Sequence, residues 1–229
     1  MPNKSNNAYA LTTLCPILPG VPDDLPPEIS HMNGQTHSAC IRYLLQDVFR
    51  VSVNSPMAKV PNTYLSRFYI LQDVPYQGHP AILEHLKSEY LVFSSNFHGD
   101  LEPYLEGMWA NVKPEIQALL PHCWGSENVR DSASFIAYIR KCQIETTFFF
   151  VGSTDEPLDV QLKSLYLKQE FSHFVFANQG KSAAELKAAF EEFVARTQPD
   201  NLEAPTWRPG AYQLETATVG RKVMGAGTQ

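Results

Sequence analysis

Charge is what this sequence has least of: only 18% of its 229 residues are Asp, Glu, Lys or Arg, and 24 acidic residues outnumber 18 basic ones. No run of Lys or Arg could neutralise several adjacent phosphates, and the formal charge is −6, which argues against nucleic acid as a partner. Long apolar runs are missing too. Thr146 to Val151 is among the longest, far short of the roughly 20 residues a membrane helix needs. The opening Met-Pro-Asn-Lys-Ser-Asn-Asn lacks the apolar core of a signal peptide. The expectation is a cytoplasmic protein with no membrane partner. The 4 cysteines, Cys15, Cys40, Cys123 and Cys142, form no CxxC pair, which speaks against a zinc ribbon and against a disulfide scaffold. They read as buried free thiols, with Cys142 a small hydrophobe on the inner face of a helix. His31, His37 and Cys40 are close in sequence but fit no zinc spacing and lack a fourth ligand. G-x-S-x-G, P-loop and H-E-x-x-H motifs are absent, so hydrolase and nucleotide readings have no support.

What is present is apolar and aromatic. Hydrophobic residues make up 44%, with 13 Phe, 10 Tyr and 3 Trp, enough to offset the ordering entropy of a sizeable core. Residues 8–18 read as a first strand, 64–71 as a second, 90–97 as a third, and Thr146–Val151 as the most strand-like run of all. Helical spacing marks 38–50, a short stretch at 80–88, and a helix opened by Asp100 with Leu101, Tyr104, Leu105, Met108, Trp109 and Val112 on one face until Pro114 kinks or ends it. Further helices are expected over 131–142 with Asp131 as cap, over 157–177, and from Ser182, where Ser-Ala-Ala-Glu forms a capping box and Leu186, Phe190, Phe193 and Val194 turn inward. Strand, helix, strand, strand, helix is the order of a ferredoxin-like unit. The expected fold is thus α+β, an antiparallel sheet with helices on one face, open to duplication or to closure as a dimeric barrel. One domain over 1–199 is followed by an irregular tail, 200–229, rich in Pro, Gly and Thr.

Polar groups gather where the third strand gives way to a helix: Ser94-Ser95-Asn96-Phe97-His98-Gly99-Asp100. His98 suits acid, base or ligand work near neutral pH, Asp100 suits orienting an imidazole, and the helix N-terminus favours an anion. The plainer alternative is a turn at Gly99, a cap at Asp100 and a surface His98. Arg67 lies mid-strand, where a cation is costly to bury unless it meets an acid or an anionic ligand; it either lines a pocket or faces solvent beside an acid such as Asp73. His173, among Phe171, Phe174 and Phe176, is either an axial ligand for haem iron or a half-buried structural histidine.

The stretch Leu91-Val-Phe-Ser-Ser-Asn-Phe-His-Gly-Asp100, with Tyr104-Leu105 after it, resembles a bacterial family with Asn-Tyr-Asp-Gly at the equivalent strand end. That family is similar to the dimeric α/β barrels, which include dye-decolourising peroxidases, chlorite dismutases and small monooxygenases. The resemblance spans residues 60–180, and His98 stands where the family has Asp. It implies sheet-to-sheet pairing of two copies and, in some members, haem between sheet and helices. Two functions follow as expectations. One is an oxidative enzyme with His98, Asp100 and Arg67 at its site, His173 as haem ligand and a homo-oligomeric state. The other is a non-catalytic protein that binds a small molecule or a partner on the same fold.

Overall fold

The computed structural model describes residues 3–49, 55–75, 78–79, 84–152 and 154–209. Its centre is a four-stranded antiparallel sheet built from β1 (Lys4–Ser5), β2 (Ala8–Pro16), β3 (Thr63–Leu71) and β4 (Tyr90–His98), in the order β1-β2-β4-β3. β2 and β3 each pair antiparallel with β4 between them, with Leu11 opposite Ser95, Cys15 opposite Leu91 and Phe68 opposite Phe93. This register sorts side chains by alternation. Leu11, Cys15, Leu91, Phe93 and Phe97 share one face and enter the core, whereas Thr12, Ser94, Arg67, Val92 and Tyr69 share the other.

The helices α1 (His37–Tyr43), α2 (Leu101–Leu119) and α3 (Ser132–Cys142) cover the first face. Ile41, Leu105, Met108, Val112, Phe135 and Ile139 complete one core cluster with the sheet. The apolar spacing read along α2 is borne out: Leu101, Tyr104, Leu105, Met108 and Val112 are all buried. Pro114 does not end this helix. Its missing N–H and its ring disturb the preceding turn instead, and Val112 takes φ −133°, ψ 29° before the helix resumes. The single helix expected over 38–50 ends at Tyr43 and continues as a π turn over Leu44–Val48.

Several expectations are corrected. Residues 84–88 carry no helix, and the rest of the 80–88 span lies outside the described residues. Thr146–Val151 forms no strand. After α3 the chain touches β2 through one antiparallel bridge, Thr13 to Gln143, and a bond from Ile144 N to Thr12 O of 2.8 Å, and then leaves the sheet. Phe148 and Phe150 stand 82% and 71% exposed, because a β-prone run becomes a strand only where a free edge and a packing surface receive it. Beyond it, α4 (Leu158–Ala177) and α5 (Ala183–Thr197) form a helical hairpin. The Ser182–Glu185 capping box is present. Of the four residues expected to turn inward from α5, however, only Phe193 is buried; Leu186, Phe190 and Val194 remain exposed. The base of the hairpin is anchored by the buried Lys163, whose ammonium donates to Thr197 O at 2.7 Å and Pro205 O at 2.8 Å.

Candidate functional site

A cavity of about 220 Å³ lies between the inner face of the sheet and α2. Its walls are apolar: Phe68, Leu91 and Phe93 from the strands, Met108, Val112 and Ile116 from α2, and Phe135 and Ile139 from α3 all border it. Beside it α2 departs from regular geometry at Val112, and the β3 and β4 side chains facing it include the stacked rings of Phe68 and Phe93, with centroids 4.5 Å apart. Its polar groups are few. Thr13, Ser55, Ser66, Arg67 and Glu115 contribute them, together with Cys15 at the β2 side.

Glu115 gives the cavity its chemistry. Oε1 lies 4.0 Å from Lys59 Nζ, a loose ion pair at the surface, while Oε2 is buried with no hydrogen-bond partner among the described residues. A buried carboxylate oxygen left without a donor costs about 1–3 kcal/mol. A ligand carrying a hydroxyl or amine at one end and a ring or short chain at the other would supply that donor and fill the apolar space.

The residues singled out from the sequence are dispersed. Arg67 borders the cavity, but strand alternation assigns it to the opposite face with the exposed Leu65 and Tyr69, and it is itself exposed. His98 sits at the end of β4 on that same outer face, opposite Ala8. A β-bulge between Thr63 and Leu65 makes Tyr64 the extra residue of β3 and turns its phenol towards His98. Tyr64 Oη lies 3.2 Å from His98 Nδ1 and donates to Glu156 O at 2.7 Å, and His98 Nδ1 donates to Asp155 O at 2.8 Å. The two rings therefore hold the segment that enters α4.

Asp100 occupies the N-cap position of α2 with extended backbone, as expected, but its carboxylate makes no capping bond and is paired with Lys4 of β1 instead. Gly99, at φ +95°, makes the reversal between β4 and α2, and its N–H donates to Asn7 O at 2.7 Å. His173 lies on α4, half-exposed, with Nδ1 3.8 Å from Glu170. None of His98, Asp100 or His173 borders the cavity, and no histidine does. The space there does not suit a haem, since its volume lies below the roughly 300–1,000 Å³ of pockets that take drug-sized ligands, and His173, the axial ligand expected from the sequence, lies outside it.

Sequence reasoning missed Glu115 and the pairing of His37 with His122, whose Nδ1 atoms are 3.0 Å apart. Burial holds both imidazoles below the ordinary range, His122 down to about 4. Nothing local in the sequence marks either feature, since in both cases the partner, or the lack of one, is set by tertiary packing. Among the described residues no group of three or more metal-ligating side chains could hold an ion, and no helix is long and apolar enough to cross a membrane. Comparison with protein-family models, characterised proteins and solved structures finds no match to this chain.

Proposed function

We propose that this chain is a small-molecule-binding protein whose ligand occupies the cavity between the sheet and α2, its apolar body against Phe68, Phe93, Met108 and Val112 and a donor group on Glu115. The observation that carries this reading is the buried Oε2 of Glu115, which has no hydrogen-bond partner among the described residues, in a mostly apolar cavity. An empty apolar cavity of about 150 Å³ is large enough for benzene, so 220 Å³ suits a single ring with a short polar arm. The binding reading is preferred to an oxidative enzyme because Arg67, His98 and Asp100 converge on no common space.

The same reading takes the sheet as a ferredoxin-like unit whose fourth strand is reduced to the Thr13–Gln143 bridge, which is the position a strand after the second helix of such a unit would fill. It also takes the outer face, where Leu65 is 69% and Tyr69 48% exposed, as the surface on which a second copy packs, as in the dimeric α/β barrels.

The test is a thermal-shift series with toluene, benzyl alcohol and benzylamine. The two donors should raise Tm more than toluene does, and Glu115→Leu should remove their advantage while leaving the toluene shift. Equal shifts for all three, or none, would refute the assignment of Glu115.

A further inference from the structure

Three short segments patch the free edge of β2: β1 opposite Ala8 and Tyr9, Gln143 bridged to Thr13, and Cys123 bridged to Ile17. Cys15 lies between the last two attachments, so Cys142, which precedes Gln143 at the end of α3, and Cys123 flank it from either side. Cys15 is part of the core cluster and Cys142 packs against the same cluster, one residue before the Gln143 that is bridged to Thr13. All four cysteines are unpaired, and of these three Cys15 and Cys123 are buried whereas Cys142 is partly open to solvent. We propose that Cys15 and Cys142 are a reversible redox pair that a hydroperoxide converts to a disulfide, with Cys142 attacking and Cys15 resolving.

The surroundings distinguish the two roles. The Cys142 thiol is lowered to about 7, chiefly by the neighbouring Cys15 thiol and less by Tyr138 and the charge of Lys141, against the opposing effect of burial. The Cys15 thiol is driven up by the neighbouring Cys142 and by burial, and it keeps its proton, which it donates to Thr13 Oγ1 at 3.8 Å. Cys123, pushed up to about 12 by burial, remains a thiol. The exposed member is thus the nucleophile and the buried member the proton holder, the order that such chemistry requires.

The steps balance. The Cys142 thiolate attacks one peroxide oxygen, the O–O bond breaks, and the departing alkoxide takes a proton to leave as the alcohol. Cys15 then attacks the sulfenic sulfur, the S–O bond breaks, and hydroxide leaves with the Cys15 proton as water. Two thiols lose two electrons, and the hydroperoxide is reduced to alcohol and water. The bond would tie the end of α3 to β2 beside the cavity that Cys15 borders.

The experiment is treatment of the reduced, full-length protein with stoichiometric hydrogen peroxide, blocking with N-ethylmaleimide and peptide mapping, with fragmentation to separate Cys15 from Cys40 on their shared tryptic peptide. A dithiothreitol-reversible cross-link between Cys15 and Cys142 is expected. In Cys15→Ser, a dimedone-trapped sulfenic acid should accumulate at Cys142. Alkylation of Cys142 in the unmodified protein should reach half its maximal rate near pH 7. A Cys15–Cys123 link, oxidation of Cys142 without any link, or alkylation of Cys142 no faster than in the unfolded chain would each overturn the proposal. The mapping and alkylation arms use the parent sequence, so they decide the matter even if Cys15→Ser fails to fold.

Discussion

At the scale of single residues, the buried imidazole pair makes a prediction about acid. The 3.0 Å contact between His37 and His122 needs one ring nitrogen to donate and the other to accept, and both rings are held neutral by burial. In the unfolded chain both would titrate near 6.5. Their depressed folded values mean that the unfolded state binds more protons, so the stability they contribute is complete above about pH 6.5 and is lost as pH falls towards 4. Urea midpoints should fall over that window by the equivalent of about 1–2 kcal/mol, after allowance for the solvent that screens the pair. His122→Gln should flatten the fall; an unchanged pH profile in that variant would show that other groups cause it. His98 and Tyr64 make a structural prediction instead. Tyr64→Phe removes one of the two donors to Glu156 O, leaving Gln161 Nε2 at 2.7 Å, and should cost no more than about 1 kcal/mol without altering ligand binding, a result that urea denaturation and the thermal-shift series check together.

At the scale of elements, two aspartates at helix N-termini look alike in the sequence and differ in the structure. Asp131 caps α3, accepting from Ser134 N at 2.8 Å in a complete capping box, whereas Asp100 leaves the first turn of α2 uncapped and pairs with Lys4. Asp131→Ala should therefore cost about 1 kcal/mol and Asp100→Ala less than about 0.5 kcal/mol. Equal losses in chemical denaturation would contradict the distinction. The same contrast shows what was legible. The three long strands and the helices α2, α3, α4 and α5 announce themselves through β-branched and aromatic runs, 3.6-residue spacing and caps, which are local signals. Thr146–Val151 carried the strongest strand signal and formed none, because the neighbour that would have paired it is not encoded in the run itself. Periodicity in α5 likewise marked an apolar face without saying whether anything covers it. Of the cavity, only Arg67 was singled out in the sequence as a site residue: its walls come from strands and helices far apart in the chain, and the lack of a partner for Glu115 Oε2 among the described residues exists only once they are assembled.

At the scale of the whole molecule, the exposed apolar residues of the described chain include Leu65 and Tyr69 on the outer sheet face, Phe148 and Phe150 after α3, and Phe171, Phe176, Leu186 and Phe190 on the α4–α5 hairpin. β3 is the last strand in the sheet order and, among the described residues, no further strand pairs with its far edge, which carries no Pro or Lys. A second copy packed on the outer face would cover Leu65 and Tyr69, so light scattering should give a dimer at micromolar concentration, and Leu65→Glu with Tyr69→Lys should give a folded monomer. A monomeric parent protein would remove the barrel-like pairing and leave the cavity reading intact, since that cavity lies on the other face of the sheet.

The most direct test of the central claim is Met108→Trp, which places an indole in the cavity between the sheet and α2. Overfilling a packed core typically costs about 1–3 kcal/mol. If the space exists and serves as a ligand site, this variant should match or exceed the parent in chemical denaturation and lose the thermal shift with benzyl alcohol and benzylamine. A variant destabilised by that amount, or one that still binds both compounds as the parent does, would contradict it.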